Sequence, residues 1–202
     1  GGATLNFDHL ASICPSREDI ENGGDRSLNL SLLLQCRALD LAATQTDSLE
    51  LSLRDERIDA VIAINPIGSA IFGPEGMANI DIPVMMMTGS ADIVAPTLWE
   101  QVYPFSWLQT PEKFLVTMHQ GTHFSTIGVT DEDIPLPEAI LGPVPQIAQR
   151  YVQSTSLAFF QTYLSSGSEQ PSQALTPAYI NQISRDRMPL SIIQEFDLDA
   201  ID

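Results

Sequence analysis

The sequence predicts an α/β fold, an open parallel sheet with flanking helices, and three observations lead there. Three short runs, IDAVIAINP (58–66), IPVMMMTG (82–89) and EKFLVTMH (112–119), are apolar and rich in β-branched residues or methionine, as strands inside a parallel sheet are. The intervening residues, 67–81 and 90–111, exceed what a hairpin needs and suit crossover helices. A long amphipathic pattern comes after the third run, so strands and helices alternate.

Taken in order, residues 1–27 are polar and carry the breakers Pro15, Gly23 and Gly24. Asp8 is placed to cap a short helix running through Cys14. LSLLLQCRALDLAAT (30–44) has helical spacing, with Ser27 or Asn29 as cap and Leu30, Leu33, Leu34 and Leu41 on its apolar face. The strand at 58–66 is expected to be buried on both faces and is stopped by Pro66. Pro83 opens the strand at 82–89, where a missing N–H is tolerated. Residues 97–103 read as the helix after it. The run 112–119 leads into GTHFSTIG and then a Pro- and acid-rich loop over 131–142. PQIAQRYVQSTSLAFFQTYL (145–164) reads as a long helix, with Pro145 in its first turn and Ile147, Tyr151, Leu157, Phe160 and Leu164 as its stripe. After the linker SSGSEQPSQ, a short helix over 177–185 precedes an acidic end. The chain thus divides into a helical segment (1–57) that is a candidate cap, a core (58–166) and a helical tail (167–202).

Composition narrows the partners. With 26 acidic and 9 basic residues the net charge is −17, which argues against nucleic acid or anionic lipid, since phosphate binding needs clustered Lys and Arg. No run approaches the roughly 18 apolar residues of a membrane helix. The chain opens on Gly1-Gly2 without a Met, as a mature form, a tagged chain or a fragment would, so localisation stays open between cytoplasmic and exported. Cys14 and Cys36 admit one pairing. Two separate thiols and a disulfide clipping a loop-rich segment both remain open.

In open parallel α/β sheets, functional groups stand just beyond the carboxyl ends of the strands. That rule selects Asn65 after the first run, Asp92 after the second and His123 after the third. Neighbouring strands lie about 4.8 Å apart, so Asp92 and His123 can meet above the sheet. An imidazole there takes and returns a proton, while a carboxylate fixes its tautomer and stabilises its charged form. Gly89 and Gly121 are expected to let the chain turn off the strand ends. His119 and His123 share the i,i+4 spacing of a metal pair, but Gly121 interrupts any helix there and no metal is expected. His9 reads as a surface residue.

The residues DAVIAINP, FGPEGMANIDIPVMMMTGSADIVAP and EKFLVTMHQGTHFSTIG resemble the C-terminal half of an α/β-hydrolase. More narrowly they are similar to bacterial predicted dienelactone hydrolases akin to platelet-activating-factor acetylhydrolase. The likeness is good over residues 51–128, and its most specific parts are TGSAD and GTHF. It implies a serine esterase using no metal or organic cofactor, with Asp92 as triad acid, His123 as triad base and a small-molecule or lipid ester as substrate. The family's G-x-S-x-G elbow is missing from these residues. GGATLNF resembles the segment just behind such an elbow, so the resemblance places the nucleophile, the oxyanion hole and the earlier strands upstream of Gly1. Ser69 is not expected to substitute, because no helix start is expected close behind it. Ser90 and Ser125 read as turn hydrogen-bonders. Asn65, Ser69, Phe72, Trp107 and Phe124 are expected to border the substrate pocket. The alternative is a non-catalytic α/β-hydrolase-like binding or structural protein. A bare sheet edge would favour homo-oligomers.

Overall fold

Four strands form one sheet in the order β1 (Val61–Ile64), β2 (Val84–Gly89), β3 (Lys113–Met118) and β4 (Leu190–Ile193). This is the arrangement in a computed structural model that describes residues 2–14, 30–42, 52, 54–126, 138–164 and 175–195. β1 pairs parallel with β2, and β2 parallel with β3; Val61 stands opposite Val84, which stands opposite Lys113. β4 returns antiparallel along β3, with Met118 opposite Leu190. The sheet is thus open, mostly parallel and flanked by helices, the expected α/β class.

The helices are α1 (Phe7–Ile13), α2 (Leu30–Ala42), α3 (Ser69–Ala78), α4 (Tyr103–Trp107), α5 (Glu138–Leu141), α6 (Pro145–Leu164) and α7 (Pro177–Ile183). A π-helical turn, Leu98–Val102, runs into α4. Within α3 the backbone breaks at Gly73, whose φ of 62° suits glycine, and Pro74 restarts the helix. α1 is capped by Asn6, whose Oδ1 accepts from His9 N–H at 2.9 Å, so Asp8 lies in the first turn and is not the cap.

Alternation along β2 builds two cores. Met85 and Met87 face Phe114, Val116, Tyr151 and Phe159. Val84 and Met86 face Met77, Phe105, Leu108 and Leu115 on the other side. Every residue of β2 is buried, as the apolar run demands. β1 departs from expectation: it is only half-buried, with Ile64 38% exposed, because among the described residues it pairs with β2 alone and forms the edge of the sheet.

Two helices depart in part from the faces expected of them. α6 packs through Ala148, Tyr151, Thr155, Ala158 and Phe159, so Tyr151 and the partly buried Ile147 of the expected stripe face the core, while Leu157 is 60% exposed and Phe160 and Leu164 also face outward. The small residues let the helix axis approach the sheet, which the bulkier stripe would hold away. α2 buries Ser31 and Gln35, and Leu30, Leu33 and Leu34 are exposed, while the side chain of Leu41 lies outside those described. The tail is not purely helical, since β4 comes after α7. The Tyr151 hydroxyl anchors it, donating to the Met188 carbonyl at 2.8 Å and accepting from Arg185 N–H at 2.7 Å.

Cys14 and Cys36 form a disulfide with Cα atoms 5.7 Å apart, joining the end of α1 to α2. Closing a loop of sequence separation 22 restricts the unfolded chain. Replacing both cysteines by serine should therefore lower unfolding free energy by about 3 kcal/mol on the chain-entropy scale, measured by urea denaturation.

Candidate active site

The ends of β2 and β3 are brought together by backbone. Ser90 N–H donates to the Met118 carbonyl at 3.0 Å, and Ala91 N–H to the Gly121 carbonyl at 2.8 Å. Gln120 N–H donates to Ser90 Oγ at 2.9 Å. Gly89 and Gly121 lie so close that a Cβ on Gly89 would stand 2.3 Å from the Gly121 carbonyl oxygen. The chain turns at both glycines, with Asp92 N–H on the Gly89 carbonyl and Gly121 N–H on the Met118 carbonyl, each at 3.1 Å, but neither glycine adopts a positive φ, so what the pair supplies is close approach.

Asp92 comes directly after this junction. Its Oδ1 accepts from Val94 N–H at 2.9 Å and Ala95 N–H at 2.7 Å, closing a turn onto its own carboxylate. Its Oδ2 lies 2.8 Å from His123 Nδ1. The Asp92 side chain is fully excluded from solvent, whereas that of His123 is 22% exposed. Facing a carboxylate, Nδ1 is the nitrogen that carries a proton, which leaves Nε2 of the neutral ring as an acceptor. The arrangement can therefore hold an oriented base whose partner is buried.

The loop carrying His123 is fixed on both sides. Ser125 Oγ accepts from Thr122 N–H at 2.8 Å and donates to the Leu141 carbonyl at 2.9 Å, tying the loop to α5. Asn65 Nδ2 donates to the His123 carbonyl at 2.8 Å. The Phe124 ring meets the His123 ring edge-on, with centroids 5.3 Å apart. Ser90 and Ser125 are thus engaged in loop hydrogen bonds.

The remaining pocket candidates scatter. α3 begins at Ser69 itself, contrary to the expectation that no helix start lies close behind it, and Ser69 N–H donates to Glu100 Oε2 at 3.1 Å. Phe72 and Trp107 pack against the core cluster of Met86 and Phe105. Trp107 ends α4 and leads into the start of β3, which places it at the end of the sheet away from Asp92 and His123. His9 is half-buried, its ring against Gly73. His119 Nε2 lies 3.1 Å from Ser191 Oγ, an exposed hydroxyl–imidazole pair with no carboxylate bonded to it among the described residues. Among the described residues no group of three or more His, Cys, Asp or Glu is placed to hold a metal ion.

Sequence reasoning missed a second buried carboxylate. Glu100, in the π-helical turn, accepts from Gly68 N–H at 3.0 Å and Ser69 N–H at 3.1 Å through Oε2. Its Oε1 accepts from Ser31 Oγ at 2.6 Å and Gln35 Nε2 at 2.9 Å. Gln35 Oε1 takes Ala70 N–H and Ile71 N–H at 2.9 and 3.1 Å. Together they satisfy the first-turn donors of α3, where Gly68 offers no side chain to do so. The next residue, Gln101, accepts from Thr88 Oγ1 and donates to the Pro66 carbonyl, joining the ends of β1 and β2. Its sequence signal was an acid in LWEQVY (98–103), a run otherwise apolar, aromatic or amide-bearing and without a basic residue.

No protein-family model and no curated protein matches the chain.

Because the Gly89–Gly121 approach leaves no room for a methyl group, Gly89→Ala must push the two loops apart. The expected loss of stability is about 2 kcal/mol, read by urea denaturation, against less than about 0.5 kcal/mol for a substitution at an exposed site.

Proposed function

We propose that the chain supplies the acid and the base of a serine hydrolase of the α/β-hydrolase type, which cleaves a carboxylic ester by acyl transfer. The observation that carries this reading is the buried Asp92 carboxylate 2.8 Å from His123 Nδ1, at the carboxyl ends of adjacent parallel strands. Burial with two backbone donors on the other oxygen holds the carboxylate still, and a fixed carboxylate fixes the ring. The order acid-then-histidine and the resemblance of TGSAD and GTHF support the same assignment.

In this reading the serine comes from a segment outside these residues. Its oxygen bonds to the ester carbonyl carbon as its proton passes to His123 Nε2. The carbon–alkoxy bond then breaks, and the alcohol leaves with that proton. Water, deprotonated by the same nitrogen, attacks the acyl-enzyme; the acid departs and the serine regains its proton. Asp92 stabilises the imidazolium formed at each step. No metal or organic cofactor is required by these steps.

The test uses the intact protein with a fluorophosphonate probe and a p-nitrophenyl ester. Labelling of a serine is expected, with turnover falling about a thousandfold in His123→Ala. Normal turnover in that variant, or no labelling of the wild type, would contradict the reading and favour a non-catalytic binding or structural role.

A further inference from the structure

Asn65 is costly where it stands. It comes just after β1 with a φ of 46°, in the left-handed region that asparagine tolerates better than most residues but glycine enters freely. It is only 6% exposed, and its Oδ1 is, among the described residues, the one buried side-chain nitrogen or oxygen without a hydrogen-bond partner. Exchanging Oδ1 and Nδ2 does not relieve this, because the exchange would set oxygen against the His123 carbonyl. A buried acceptor without a donor and a strained backbone both weigh against stability.

What these costs accompany is one contact. Asn65 N–H continues the parallel ladder by donating to the Met87 carbonyl at 2.8 Å, which places the residue beside the end of β2. From there Nδ2 reaches across to the His123 carbonyl at 2.8 Å. His123 is thereby held at two points, its ring by Asp92 and its main chain by Asn65. The loop also hangs on Ser125, but that residue ties Thr122 to Leu141, and among the described residues Asn65 gives the hydrogen bond to the His123 carbonyl.

We infer that Asn65 is a positioning residue for His123, locking the main chain of the base so that its ring stays on Asp92. The inference rests on the acid–base reading of this pair and reassigns Asn65 from the rim of a substrate pocket to the support of the histidine. Stability is given up at this position for the geometry of the base.

Two variants of the intact protein test it. Asn65→Gly removes the side chain and accepts the backbone without strain. Asn65→Asp keeps the shape but exchanges the donor for an acceptor facing a carbonyl. Three quantities are read in each: kcat and KM on a p-nitrophenyl ester, the urea midpoint, and by proton NMR the exchange with water of the His123 Nδ1 proton. Both variants should lower kcat about five- to tenfold with KM within about twofold, the scale of one hydrogen bond. The Nδ1 proton should exchange faster by a similar factor, and Asn65→Gly should unfold at the wild-type urea concentration or above. An unchanged Nδ1 exchange rate in both variants overturns the inference. So does a fall in the urea midpoint of Asn65→Gly with kcat retained, which would make Asn65 a purely structural residue. If the wild type has no turnover at all, the hydrolase reading fails, and the proton exchange still decides whether Asn65 holds His123.

Discussion

The backbone contact between Gly89 and Gly121 is the constraint on which the site depends. Two parallel strands in register end side by side, and the segments leaving them are joined by backbone hydrogen bonds. A Cβ on Gly89 would stand 2.3 Å from the Gly121 carbonyl oxygen that accepts the Ala91 hydrogen bond, and one on Gly121 would meet its neighbours tightly at 3.1 Å. Once the Ala91 bond closes, Asp92 and His123 are carried to the same point above the sheet, and their hydrogen bond completes a geometry the backbone has already set. The methionines of β2 hold the platform beneath by filling both faces of the sheet.

Two buried carboxylates serve this rim in different ways. Asp92 satisfies one oxygen with the N–H groups of its own turn and offers the other to an imidazole. Glu100 has no cation against it among the described residues and is satisfied by two amide N–H groups, a hydroxyl and a side-chain amide. Glu100 therefore works as the cap that α3 lacks, and through Ser31 and Gln35 it holds α2 to the same end of the sheet. The disulfide beside Gln35 fastens α2 in turn to α1.

The parts of this molecule legible in the sequence are those where one physical demand acts alone. β2 is buried on both faces, so its pattern is a plain apolar run, and Asp92 and His123 are found by the rule about strand ends. The expectation failed where packing chooses among several apolar faces. In α6 the sheet selects Ala148, Thr155 and Ala158 for their small size, which a count of bulky residues overlooks. In α2 the buried face is polar because Glu100, far away in sequence, requires Ser31 and Gln35. β1 reads as a strand buried on both faces, and its half-exposure reflects its single neighbour, β2, among the described residues. β4 is four residues long and gains its place by pairing with β3, a non-local interaction that no short pattern reveals. The support Asn65 gives to the His123 carbonyl is likewise a contact between two strand ends.

If His123, held by Asp92, is a base acting on a hydroxyl nucleophile, chemical rescue tests that role most directly. His123→Gly in the intact protein removes the ring and leaves a space of its shape beside the Asp92 carboxylate. Imidazole added to the solution should then restore ester turnover with saturating dependence, and the same addition to an Asp92→Ala, His123→Gly double variant should restore far less. Turnover in His123→Gly that imidazole does not raise, or that already equals the wild type, would contradict this role for His123.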